Sequence, residues 1–158
     1  MAALRWKNAG GFSLVELLAT LVILALLLAL AVPAYHAHLV RARRVQGQAT
    51  LLKLMQQQER YYSQNNTYIV FSAASQDAQG GQFQWWSGED AREGAVRSAY
   101  EIDAVACPGL ALTQCVQLRA RPGTARVDQQ FRDADCGVLT LRSTGERGSS
   151  GPAARCWL

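Results

Sequence analysis

The chain has 158 residues, a length that suits one domain, and 49% of them are hydrophobic, ample for a core if spread evenly. They are not: Leu17 to Ala34 is apolar at every position except Thr20, so the remainder is more polar than the near-zero mean hydropathy suggests, which argues against a plain cytosolic globule. The net charge of +4 belongs to the N-terminal third, because residues 65–158 carry nine Arg against ten Asp or Glu.

Arg5 and Lys7 precede the apolar run, which at 18 residues is long enough to span a bilayer and longer than the roughly 7–15 apolar residues of a secretory signal. Small residues at Ala29–Ala31 and Ala34–Ala37 leave a cleaved signal peptide as an alternative. That alternative explains Glu16 poorly. A carboxylate one turn into an apolar segment costs up to about 3 kcal/mol near the bilayer centre and calls for a partner, although a helix N-terminus also favours an anion.

The stretch Gly10-Gly11-Phe12-Ser13-Leu14-Val15-Glu16-Leu17-Leu18, the apolar run after it, and Pro33-Ala34-Tyr35 together resemble the N-terminus of type IV pilins. The resemblance implies a leader (residues 1–11) cut after Gly11 by an inner-membrane prepilin peptidase, and methylation of the new amine at Phe12. It also implies a transmembrane and assembly helix (residues 12–38), with Glu16 as the assembly carboxylate and Pro33 as a site of helix melting. Pilins often have glycine where this chain has Ala25, so melting between there and Pro33 is less assured. In low dielectric, Glu16 of one subunit would neutralise the Phe12 amine of the next and fix axial register. Positive flanks on both sides of the span leave orientation to the resemblance: leader in the cytoplasm, head outside.

Beyond Tyr35 the helical signal continues. Ala42, Val45, Ala49, Leu52 and Met55 recur at three- and four-residue steps and predict the stripe that covers a sheet, leaving Arg41, Arg44, Gln48 and Lys53 for other faces. Pro33 is expected to kink or break this helix and Gly47 to be a weaker flexible point; Gln64-Asn65-Asn66-Thr67 stops it. His36 and His38, two residues apart, fall on different helix faces and suit packing better than a shared metal. Residues 70–98, with Trp85-Trp86, show no clean period and read as a connecting loop with the Trp pair partly buried; a sugar or partner contact is the sharper option there.

Strand alternation appears at Tyr100 to Ala104 and Val116 to Arg121. An antiparallel hairpin in which Cys107 faces Cys115 places Asp103 opposite Arg119 and Glu101 opposite Arg121 on an outer face. The same register sets Ile102 against Ala120, Ala104 against Leu118 and Ala106 against Val116 on the core face. That agreement pairs Cys107 with Cys115. A third strand, residues 137–142, precedes a turn at Ser143-Thr144-Gly145, and a bridge from Cys136 to Cys156 would close the terminal loop, worth about 3 kcal/mol. The pattern Asp135-Cys136-Gly137 through Cys156-Trp157 also resembles the disulfide-closed heads of small type IVa pilins and minor pilins.

These readings give an α+β pilin fold, a long N-terminal helix on a small antiparallel sheet with a disulfide-closed C-terminal region, residues 39–158 forming the head. No phosphate-loop, HExxH or GxSxG motif occurs, and neither an enzyme nor a cofactor or metal is expected. The leading function is a major or minor subunit of a type IV pilus, single-pass in the inner membrane as precursor and extracellular when assembled. Its partners would be other pilins, the prepilin peptidase and the assembly machinery. A DNA-binding minor pilin of natural transformation and a type II secretion pseudopilin are the alternatives. DNA binding is possible but not expected. With Arg119 and Arg121 facing acids, Arg126, Arg132, Arg142, Arg147 and Arg155 are the candidates for a basic patch.

Overall fold

The structure is a computed structural model that describes residues 13–75, 79–88 and 94–157. Gly11 and Phe12 lie outside these residues. The chain divides into two units, Met1–Leu39 and Val40–Leu158.

The helix α1 spans Leu14–Asn65. Ser13 begins it as an N-cap: its Oγ accepts from the Glu16 N–H at 3.2 Å and its carbonyl accepts from the Leu17 N–H at 3.1 Å. The Ser13-x-x-Glu16 spacing is that of a capping box, and the acid sits in the first turn, where the helix dipole favours it. The helix runs without interruption through position 33, where the proline has no N–H to give to the ladder. At the far end Asn66 takes a left-handed φ of 54° and donates its N–H to the Tyr62 carbonyl at 2.8 Å, a residue type that tolerates this conformation. In the first unit, the apolar side chains from Leu14 to Val32 are exposed, and α1 is long and apolar enough to cross a membrane.

In the second unit four antiparallel strands follow, β1 (Tyr100–Ala106), β2 (Val116–Pro122), β3 (Leu139–Arg142) and β4 (Arg147–Ser149), in the order β1-β2-β3-β4. The β1–β2 register is the expected one, Asp103 against Arg119 and Ile102 against Ala120. Ile102, Ala104, Val116, Leu118 and Ala120 join Leu139 and Leu141 in the core with Leu51 and Leu54 of α1. Residues before β1 cover its other edge through their main chain. The Ala104 N–H donates to Phe71 O at 2.9 Å, the Ile102 N–H to Trp85 O at 2.7 Å, and the Ser87 N–H to Tyr100 O at 2.9 Å. The connecting segment thus caps a strand edge that would otherwise be open to pairing. A short helix α2 (Gly94–Arg97) leads into the sheet.

Three sequence expectations are corrected. The buried face of α1 carries Arg44, Gly47, Gln48, Leu51, Leu54 and Gln58, whereas Val45 and Leu52 of the expected stripe are 44% and 42% exposed. Polar residues can face the core because each has a partner there. Gln58 pairs its amide with the Ile69 main chain, donating to the carbonyl at 2.8 Å and accepting from the N–H at 3.1 Å, and the Gln48 amide donates to the Cys156 carbonyl. Secondly, Glu101 and Asp103, expected on a solvated face, are buried beneath the guanidiniums of Arg121 and Arg119, with Thr124 donating its hydroxyl to Glu101. Gly47 is no flexible point. A Cβ there would lie 2.9 Å from Cδ2 of the fully buried Tyr100 ring, so glycine is what lets the sheet approach the helix.

Candidate functional site

Glu16 projects from the exposed first turn of α1 among Leu14, Val15, Leu17 and Leu18, and its carboxylate has no partner among the described residues. A charge on an apolar surface is tolerable in lipid or in an assembly only where something neutralises it.

The second constellation fastens α1 to the C-terminal region. Arg44 reaches Asp133 with two parallel hydrogen bonds, Nε to Oδ2 at 2.8 Å and Nη2 to Oδ1 at 2.6 Å. The Tyr100 hydroxyl donates to Asp133 Oδ2 at 2.6 Å and the Cys136 N–H to Oδ1 at 3.2 Å. The carboxylate is fully enclosed and Arg44 nearly so. Burial alone would raise the Asp133 pKa, but the hydrogen bonds from Arg44, Tyr100 and the Cys136 N–H outweigh it and hold the carboxyl below its usual range. The same bond to Asp133 raises Arg44, and burial raises the Tyr100 phenol. Two disulfides complete the frame. Cys107 and Cys115 join the ends of β1 and β2, and Cys136 and Cys156 close the terminal loop, with Cα atoms 5.4 and 5.5 Å apart. The pair Arg43–Asp128 at 2.7 Å, with the Arg43 guanidinium 5.5 Å from the Phe131 ring centre, braces the neighbouring loop. Sequence reasoning missed Arg44 and Asp133, whose only sequence signal was an arginine at a helix position also suited to burial.

The five arginines named as candidate DNA contacts fall into two places. Arg142 bonds Gln117 through Nε at 3.0 Å and pairs with Glu146 at 2.5 Å, while the Arg147 guanidinium lies 5.5 Å from the centre of the Trp157 ring. Arg142 and Arg147 line one groove beside Leu52 and Met55 of α1, and Arg155 lines the next with Trp157 and Arg41. These three of the five share the side of the head where Trp157 lies. Arg126 and Arg132 sit elsewhere, on the loop before β3, where Arg132 donates to the Gln129 and Phe131 carbonyls. Trp85 and Trp86 are both half-buried and meet edge to face at 5.2 Å. His36 and His38 are exposed, and no group of three or more metal-ligating side chains occurs among the described residues.

Residues 33–140 match the family model described as "Type IV minor pilin ComP, DNA uptake sequence receptor", and residues 6–32 match the prokaryotic N-terminal methylation motif. Among solved structures, the chain is similar to a type IV pilin from Shewanella oneidensis at 26% identity, covering 75% of this chain and 98% of that one with a TM-score of 0.44. It is similar also to the non-core minor pilin PilV of Neisseria meningitidis at 21% identity, covering 75% and 94% with a TM-score of 0.47. No curated protein sequence matches.

Proposed function

The chain belongs to the type IV pilin family, within the group of the minor pilin ComP, and is a structural subunit of a pilus; from this we propose how it is processed, anchored and assembled. The precursor is held in the inner membrane by the first half of α1, with its head outside the cytoplasm. Cleavage after Gly11 frees the Phe12 amine, which is methylated, and the subunit then enters the filament with Glu16 neutralising the amine of a neighbour. The observation that carries this reading is the exposed helical surface from Leu14 to Val32, apolar but for Thr20, whose hydroxyl bonds the Leu17 carbonyl, and for the one unpartnered carboxylate of Glu16. Lipid satisfies the surface before assembly and other pilin helices satisfy it after. The carboxylate is satisfied only by the terminal amine that processing creates, which keeps its charge on methylation. Intact-mass measurement of protein from a host with a prepilin peptidase tests the first step. Loss of residues 1–11 plus one methyl is expected, and a mature terminus at Ala34 or beyond refutes it.

A second reading, that this subunit is a DNA receptor, is supported by the match to the family of the DNA uptake sequence receptor ComP and by the shared face of Arg142, Arg147 and Arg155. Against it stands the head's acid content, since duplex affinity needs several free cations and Arg142 is already paired. An anisotropy titration with duplex DNA at about 0.15 M salt, where exposed charges are screened beyond about 8 Å, separates the two. Micromolar binding that weakens on replacement of Arg142 and Arg147 establishes the receptor, and its absence leaves the filament subunit.

A further inference from the structure

Two arginines that have no partner among the described residues share one cleft. Arg41 of α1 and Arg155 of the terminal loop, with Val45, Ala153 and Trp157, line a depression of about 430 Å³. Their neighbours are already engaged: Arg43 pairs with Asp128, and Arg44 pairs with Asp133 and stands 3.7 Å from Asp135, the acid of the cleft wall. Trp157 directs its Nε1–H to the Gly148 carbonyl at 2.8 Å and leaves a half-buried ring beside the two free guanidiniums. The cleft therefore offers two guanidiniums and an indole against one exposed carboxylate, Asp135, and with Arg44 neutralised by Asp133 it is positive by one charge.

Chain position says which anion meets it. Arg41 follows Ala34, the end of the apolar run, by seven residues of sequence, and Arg43 and Arg44 beside it are already paired. Arginines that closely follow a membrane-spanning run snorkel, keeping the stem against apolar surface and the guanidinium among headgroup phosphates. Tryptophan also favours that interface. A duplex would need a longer track of cations than two.

We propose that the cleft of Arg41, Arg155 and Trp157 binds the phosphate of an anionic phospholipid headgroup and holds the head at the membrane surface while the subunit awaits assembly. The inference rests on the reading of the chain as a membrane-anchored precursor. Extraction into the filament breaks this contact, so it acts as a reversible clamp.

The test uses the full processed chain in non-ionic detergent, titrated with phosphatidylglycerol and read by native mass spectrometry. Membrane retention under alkaline carbonate is measured in parallel. Wild type should retain phosphatidylglycerol. The double variant Arg41→Gln/Arg155→Gln should bind it about 25-fold more weakly, about fivefold per arginine, while Arg41→Lys/Arg155→Lys should retain most of the affinity. Inorganic phosphate or a duplex oligonucleotide at the same concentration should not displace the lipid. Undiminished retention by the glutamine variant overturns the proposal. So does displacement by phosphate, which would mark a free-anion site, or by the duplex, which would mark a nucleic-acid site. A chain stripped from membranes by carbonate refutes the anchoring and the clamp together; a carbonate-resistant chain with unchanged lipid binding by the glutamine variant refutes the clamp alone. An intact Cys136–Cys156 peptide in the non-reduced map certifies that each variant is folded.

Discussion

Replacing Arg44 by methionine removes the cation from a carboxylate that is fully enclosed and leaves Asp133 with only the Tyr100 hydroxyl and the Cys136 N–H. Breaking a buried pair from one side costs about 3–5 kcal/mol, because the remaining charge is neither solvated nor neutralised. For a head of this size each kcal/mol moves the thermal midpoint by about 3–5 °C, so the Arg44→Met melt should fall by about 10–20 °C. The pH dependence identifies the cause. In the wild type the Asp133 pKa is lowered, so its contribution is fully present above the unfolded carboxyl value, about 3.9, and is lost as pH falls through the folded one. In the variant, burial dominates and the Asp133 pKa rises, so acidification relieves the orphaned charge. The gap between the two melts should therefore narrow from pH 7 to pH 3, and Arg44→Met/Asp133→Leu should be more stable than Arg44→Met alone. Circular-dichroism melts of the detergent-solubilised chain across that range suffice. A gap that stays constant with pH, or a loss under about 1 kcal/mol at pH 7, refutes the buried-pair reasoning.

Gly47→Ala gains about 1 kcal/mol of helix propensity but drives a methyl to 2.9 Å from the Tyr100 ring, whose hydroxyl is held by Asp133. Overpacking at about 1–3 kcal/mol should win, and a higher melting midpoint would show that the ring can yield. Loop-entropy estimates give about 3.3 kcal/mol for the Cys136–Cys156 bridge and about 2.5 kcal/mol for Cys107–Cys115. Denaturant titration of the paired Cys→Ala variants should thus rank the terminal bridge as the more damaging loss, and the reverse order would refute the ranking. Glu16→Gln should leave the head folded and membrane insertion intact yet reduce the subunit's share of sheared filaments; wild-type incorporation would refute the register role of the carboxylate.

The β1–β2 hairpin was legible because three independent patterns agree at one register: alternation, opposite charges and facing thiols. A one-residue slip would have broken all three. The helix existed in the sequence as clearly, but its buried face did not. Periodicity selects apolar positions, and the positions that face the core at Arg44, Gln48 and Gln58 are polar groups satisfied by partners 89, 108 and 11 residues away. β4 escaped notice since Arg147-Gly148-Ser149 is too short to show alternation. The segment before β1 had no period to read because its Trp85 and Phe71 contacts to the strand are main-chain bonds, which carry no side-chain signature. Glu16 is the opposite case: its charge within an apolar stretch was plain from the sequence, and among the described residues its carboxylate has no partner.

The choice of polar groups at the helix–head contact follows from what a filament subunit must keep constant. An apolar face of similar volume could match or exceed a buried ion pair in stability, but burial is non-directional and tolerates small rotations of a helix. The Arg44–Asp133 bonds and the Gln48–Cys156 bond do not tolerate them, because turning α1 by one residue, about 100°, removes both donors from their acceptors at once. The acceptors are themselves held, Asp133 by the Cys136 N–H and the Cys156 carbonyl beside the bridge between those two cysteines. The closed terminal loop therefore acts as a fixed reader of the rotational phase of the helix. With that phase set, Ala42, Val45, Ala49 and Leu52 point away from the head's own core. Of the stripe that periodicity assigned to the sheet, these four are left exposed and Met55 alone packs against the core.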